Sequence, residues 1–404
     1  MQLTVAALRA ALEGRAAAFR CITAYQPAAG RGAKVFPPTY EGGKYATEQR
    51  VHPTRTDPDA GAPRTCDCVL LDSVQSQANR MESALLDAVR AGRIALPLLV
   101  TRFDRHDLPK PFSVSSLEAP HRVADALFRD SVLDGVMFRR SETGRILDTA
   151  DARNAAALFG LCPTALVFGL WDAAGPRGGL GAKFQRALVS EIVGYDAVLG
   201  VTTASRIDPA QIQRGAGPLY INPDAAREQP HWTLDAKTGA KKLGKEGKPS
   251  EANHGNVTPD MTAGGFTISQ GVQTTVMSLA ALRRLRFPLG GVDESDPQVD
   301  IAAQTALAAI GLTAAALARE DGDLRSRCQL FPESESDWEL LDRPGQPRQS
   351  FELTPDAAID LLNDAVAAAR QVGLPWAGVI ELQPSEQLVE LVRRSQELAG
   401  AEDD

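Results

Sequence analysis

Polar and apolar positions follow two different periods along this chain of 404 residues, and each change of period marks an element. The clearest helical signal follows the apolar run Cys68–Leu71, which reads as a short buried strand. Asp72 or Ser73 is suited to cap a helix there, running to about Arg90 with Gly92 as its stop. Val74, Ala78, Met81, Leu85, Ala88 and Val89 fall within one arc at about 100° per residue, which makes that arc the core face. Ser76, Asn79, Arg80 and Ser83 fall on the other side.

The same reading extends along the chain. Residues 1–18 predict a helix, and Phe19–Tyr25 a strand of alternating β-branched and aromatic residues. Residues 26–64, rich in Pro, Gly and Thr, predict a long irregular loop or loose hairpin, longer than a plain connection. Ala119–Asp130 predicts a second helix, with Pro120 in its first turn. Thr164–Leu170 reads as a central strand and Leu180–Val193 as a helix. On that helix Phe184, Leu188 and Ile192 face inward, while Lys183, Arg186 and Ser190 follow one another at i, i+3 and i+7.

Residues 205–262 change character, with 6 Gly and 6 Pro in the stretch. Trp232–Ala236 alternates like a strand. Lys237–Lys248 carries five Lys against one Glu, which predicts an extended, mobile, basic projection. Gly264–Ile268 opens a strand, and a helix follows from about Gln273 to Arg286. Alanine-rich helices close the chain at roughly 299–320, 355–372 (Thr354 as cap, Pro355 in the first turn) and 385–399. No period marks a repeat array.

Composition narrows the class. A hydrophobic share of 44% is enough for a real core and excludes wholesale disorder. The longest unbroken apolar runs, such as Ile94–Val100, fall short of a membrane span. The N-terminus lacks a basic start followed by an apolar block and does not read as a signal peptide. Five cysteines form no framework and fit a reducing, cytoplasmic setting. The net charge of −8 hides an asymmetry: residues 1–290 carry +7 and residues 291–404 carry −15. Such a split is either a partner signal or a solubilising acidic tail.

Several chemistries are missing. Gly175–Lys183 resembles a phosphate loop but lacks its spacing. Cys66 and Cys68 have no second Cys/His pair at zinc spacing. The five His stand singly, and no nucleophile elbow appears. Asp208 and Asp260 are isolated carboxylates. No catalytic residue, metal site or cofactor is expected.

One constellation remains. Ser73, Gln75, Ser76, Gln77, Asn79 and Arg80 crowd the first two turns of a helix, whose free N–H groups and positive dipole end suit phosphates. Such side chains bond sugar and phosphate without reading sequence. Lys183 and Arg186 add cations, and Gly264 and Gly265 allow a close backbone approach. Together these groups suit a groove for a single-stranded polyanion; the plain alternative is a solvated helix face with an ordinary loop.

The strings LLDSVQSQANRMESALL, EAPHRVADALFRDS, KFQRALVSEIVGYDAVLG, SRIDP, GGF and QTTVMSLAALRRLRFP, together spanning roughly residues 68–288, resemble the Cas-seven backbone subunit of type I-G (formerly I-U) CRISPR Cascade complexes. FPPTYEGGKY at 36–45 is also similar. The Ser-x-Gln-Ser pattern at Ser73–Ser76 is similar to the first-helix RNA contact of more distant Cascade backbone subunits.

The resemblance implies an α+β fold of the repeat-associated mystery protein (RAMP) type. It would have a ferredoxin-like palm of RNA-recognition-motif type, with helical insertions, a β-hairpin thumb and C-terminal acidic helices. The palm would take residues 1–204 and 263–290, the basic thumb 205–262 and the acidic helical region 291–404. The matching strings add Arg122, Ser190, Ser205, Arg206 and Arg283 to the RNA-contact candidates. The implied role is a non-catalytic backbone subunit that oligomerises along a CRISPR RNA guide (crRNA). It would present that guide to a target DNA strand, beside a large subunit and a Cas-five/Cas-six fusion, with no membrane partner. Recognition would be through the RNA backbone, because the aromatic stacking pair of RNA-recognition motifs is missing. The alternatives are a metal-dependent RAMP ribonuclease using Asp208 or Asp260, and a generic single-stranded RNA scaffold.

Overall fold

A computed structural model describes residues 1–56, 63–173, 181–223, 225–226, 228–236, 241–290, 295–320, 323–334 and 336–403. Most of the glycine-rich string, from Gly175 to Leu180, and the start of the Lys-rich string, Lys237–Ala240, lie outside them. Two compact units divide the chain: Met1–Ala197 with Ile268–Arg393, and Val198–Thr267 with Arg394–Asp404.

The larger unit is mixed α and β and rests on a nine-stranded sheet. In chain order the strands are β1 (Ala18–Pro27), β2 (Thr47–Thr56), β3 (Pro63–Asp72) and β4 (Leu188–Tyr195). After β5 (Val198–Arg206) and β6 (Val257–Thr267) of the smaller unit come β7 (Gln270–Ser278), β8 (Asp323–Arg325), β9 (Cys328–Pro332), β10 (Trp338–Leu341) and β11 (Gln349–Phe351). The spatial order is β8-β9-β1-β7-β4-β3-β2, and β10 joins β1 to β11. Every pairing is antiparallel. β1 alternates as its sequence predicts, with Phe19, Cys21, Thr23 and Tyr25 buried and Ile22 exposed.

Five longer helices accompany the sheet: α1 (Val5–Glu13), α2 (Val74–Arg90), α3 (Pro297–Arg319), α4 (Pro355–Gln371) and α5 (Glu386–Asp403). The Ser73 hydroxyl caps α2 by accepting the Ser76 N–H at 3.2 Å, and Gly92 leaves the helix at φ +70°, a conformation glycine adopts without strain. α3 has the length and composition of a membrane span, yet it is buried inside the protein. Its small side chains let other elements approach: at Gly311 a Cβ would stand 2.8 Å from Met277 Sδ and 3.2 Å from Val167 Cγ1. A second, five-stranded sheet orders Ser113–Ser115, Leu98–Arg102, Val379–Pro384, Ser131–Leu133 and Val136–Met137.

Several predicted elements change. Thr164–Leu170 is not a strand: Thr164–Phe168 is a helix whose five residues are all buried, so its apolar run carries no period to read. Of the helix expected over Leu180–Val193, the described residues 181–193 form none. A short strand, Lys183–Phe184, pairs with Leu170–Trp171, and β4 begins at Leu188. Gln273 to Ser278 belongs to β7, and helix exists only over Leu279–Leu282. Ala119–Asp130 breaks at Asp125, whose extended backbone and side chain cap the short helix Ala126–Arg129. The 26–64 segment ends in β2 and opens β3, forming the edge hairpin of the main sheet. Trp232–Ala236 shortens to Trp232–Thr233, paired with Tyr220–Ile221. Residues 291–404, expected as acidic helices, also supply strands β8–β11.

The smaller unit is a two-stranded ribbon with a long loop. β5 and β6 pair from Val198↔Thr267 to Arg206↔Val257 with two register shifts, and nearly all of β5 is exposed or half-exposed. An isolated ribbon of this kind is marginally stable, and side-chain clamps secure its loop. The Asp208 carboxylate accepts the N–H groups of Gly255 and, at 2.8 Å, Ala210. These bonds, that from Gly255 first, hold its acid well below the usual range. Glu251 gathers the N–H groups of Lys245 and Lys248 at 2.9 and 2.8 Å.

Candidate nucleic-acid interface

The polar side of α2 faces a groove of 690 Å³. Ser76, Asn79, Arg80, Ser83 and Asp87 line it from α2; Arg93, Leu317 and Glu320 complete it. Helical spacing puts the α2 residues in one row, because positions three and four apart share a face. The apolar side is turned inward through Ala78, Met81, Leu85 and Ala88, as predicted, while Val74 and Val89 remain half-buried. The groove is mixed in charge, with Arg80 and Arg93 against Asp87 and Glu320. Arg93 also pairs with Asp356 at 2.5 Å.

Arg80 is fixed rather than free. Its Nε donates to Asp72 Oδ2 at 3.0 Å, Nη1 to the Asp323 carbonyl at 3.4 Å and Nη2 to that of Leu324. It thereby ties α2 to β8 while 28% of the side chain stays exposed to the groove. Asp72 itself is fully buried, and its Oδ1 has no hydrogen-bond partner.

The remaining predicted contacts separate. Ser76, Asn79 and Arg80 share the groove; Gln75 is exposed on α2, and Ser73 uses its hydroxyl as the cap. Gln77 and Ser190, expected as RNA contacts, are both buried in a polar network between α2 and the sheet. Gln77 Nε2 donates to Asp72 at 2.6 Å, while Gln77 Oε1 accepts Ser190 Oγ at 3.0 Å and Gln273 Nε2 at 2.7 Å. Gln77 and Ser190 lie where a strand on the surface does not reach. Arg122, also expected as an RNA contact, lies inside the unit. It is buried, forked onto Glu82 by two bonds of 2.7 Å, and it donates to the Gly169 carbonyl.

Arg186 donates to the Phe168 carbonyl at 3.1 Å, and burial, with Arg122 nearby, lowers its pKa. Arg283 donates to the Ala16 carbonyl at 2.6 Å. Lys183 is exposed, 5.6 Å from the Trp171 ring centre. It does not share a helix face with Arg186 and Ser190, because that helix does not form. Within the smaller unit, Ser205 is exposed, Arg206 donates to the carbonyls of His254 and Gly255, and Gly264 and Gly265 are buried in β6. Gly265 adopts φ +72°. The sequence reading missed Arg93, Leu317 and Glu320 because they reach the groove from other elements, and no local pattern marks them.

Among the described residues no group of three or more His, Cys, Asp or Glu is placed to hold a metal. Cys66 and Cys68 lie buried with sulfurs 3.9 Å apart, and burial pushes the Cys68 thiol up to about 12. Asp260 is exposed and accepts the Met261 N–H at 2.8 Å.

No curated protein matches the chain. Residues 19–199, from β1 through β4 and including the whole of α2, match the model of a family described as CRISPR-associated protein GSU0053. This match supports a CRISPR-associated protein with a role in CRISPR defence.

Proposed function

We propose that the chain is a non-catalytic backbone subunit of a type I-G Cascade effector, working in the cytoplasm. Several copies would line up along one guide RNA and hold it for pairing with target DNA, beside a large subunit and a Cas-five/Cas-six fusion. In this reading the larger unit is a ferredoxin-like palm and the smaller unit its thumb. Base pairing supplies specificity, and the protein supplies a preordered surface.

The observation that carries the reading is the groove on α2. Its short hydroxyl and amide groups, Ser76, Asn79 and Ser83, stand in one row beside a braced Arg80. Such groups bond a nucleic-acid backbone without reading bases. The CRISPR-family match covers the helix that presents them. A ribonuclease centred on Asp208 has less support, since both its carboxylate oxygens already accept backbone N–H groups.

The test leaves the Arg80 brace intact. Asn79→Asp and Ser83→Glu are expressed with a CRISPR array carrying two unrelated spacers, and the bound RNA is extracted, sized and quantified. The parent chain should carry RNA of one length, and both variants should lose it several-fold, equally for the two spacers. Unchanged loading would remove the groove from the reading; a spacer-dependent loss would contradict backbone recognition.

A further inference from the structure

A second surface with nucleic-acid chemistry lies elsewhere on the larger unit and uses none of the α2 groove residues. A pocket of 300 Å³ is walled by Leu166, Phe184, Ala187, Ala281 and Leu285. Two cations line it as well, Lys183 and Arg284. Neither forms an ion pair with a carboxylate among the described residues, whereas most arginines of this unit do. Arg284 Nη1 is steadied by Gln185 Oε1 at 3.0 Å.

Trp171 stands beside Lys183. It pairs in register with Lys183 across the short two-stranded sheet, so the two side chains share a face. The Lys183 ammonium lies 5.6 Å from the ring centre. The indole is 62% exposed, the most exposed large aromatic of the larger unit. Tryptophan usually buries most of its area, so an open indole beside Lys183, a cation that also lines an apolar recess shared with Arg284, calls for a ligand of matching chemistry. A base offers a π-face to the indole, and its phosphates offer the missing negative charge.

We propose that Trp171, Lys183 and Arg284 bind one nucleotide unit of a single-stranded nucleic acid. The base lies on the indole and its flanking phosphates meet the two cations. The site stands whether or not the α2 groove holds a guide.

The experiment titrates the full chain, free of guide, with a pentameric oligothymidylate and separately with thymidine monophosphate, following tryptophan fluorescence and the anisotropy of a labelled oligonucleotide. The oligonucleotide should quench the parent. Trp171→Ala should weaken binding about tenfold, the scale of one base–aromatic stack. Lys183→Ala and Arg284→Ala should each lower the slope of log affinity against log salt by about 0.7. Trp171→Phe should keep most of the affinity and lose the quench. Binding of the monophosphate with the same sensitivity would assign the site to free nucleotides rather than strands. No binding by the parent, or binding unaltered by Trp171→Ala, overturns the proposal. Failure of the groove reading would show separately, as guide loading unchanged by Ser83→Glu.

Discussion

Glu82 and Arg122 meet inside the larger unit as a fork, Nε to Oε1 and Nη2 to Oε2, each at 2.7 Å. Both are buried, and the Arg122 guanidinium lies 5.6 Å from the centre of the Phe168 ring. Removing one partner leaves an uncompensated charge, at a cost of about 3–5 kcal/mol, whereas replacing both with apolar residues is far milder. Arg122→Ala should therefore lower stability in urea unfolding by that amount, and Glu82→Leu with Arg122→Leu should restore much of it. A surface RNA contact would give the opposite signature: weaker guide loading at unchanged stability.

Arg80→Ala strips Asp72 of its guanidinium partner and leaves Gln77 as the remaining donor to a fully buried carboxylate. An expected loss of about 2 kcal/mol follows from losing a hydrogen bond to a buried charged group. Arg80→Lys keeps the charge without the fork that also reaches the Asp323 and Leu324 carbonyls, and should recover only part. Thermal melting of the three proteins decides the order.

Gly311 lies within α3, where alanine would ordinarily favour the helix by about 1 kcal/mol. Here the new methyl would press on Met277 Sδ and Val167 Cγ1. Overpacking costs about 1–3 kcal/mol, so Gly311→Ala should destabilise on balance. A rise in the urea midpoint would show that Met277 yields freely.

Glu381, on the second sheet, accepts from Arg102 at 2.7 Å and Arg105 at 2.8 Å. These two guanidiniums, Arg102 first, hold its carboxyl below the usual range of 4.5. A depressed acid adds stability that is full above its unfolded value and fades as pH falls through its folded one. Urea midpoints measured from about pH 5 down to about pH 3 should therefore decline less steeply in Glu381→Gln than in the parent.

What the sequence made legible is the part with a clean period. The register of α2, its Ser73 cap and its Gly92 exit all follow from local chemistry. β4 misled because Leu188 and Ile192 satisfy a helical spacing as well as a strand's, and the polar Ser190 between them is buried rather than exposed. Gln273 and Thr275 do the same in β7. Polar residues facing inward invert the alternation that marks a strand. The same inversion hid the roles of Gln77 and Arg122, whose partners arrive from 113 and 40 positions away.

β1 emerges near the start of synthesis, yet Ala18–Cys21 must wait for Trp338–Leu341, and Tyr25–Pro27 for Leu330–Pro332. Arg20 and Glu339, which close that edge, stand 319 positions apart. A chain emerging at about 5–20 residues per second leaves this strand edge open for tens of seconds. Open edges recruit strands from neighbouring chains. Yield in the cell should therefore depend on the pace of translation and on chaperone supply, and any truncation before Trp338 would keep the edge open permanently.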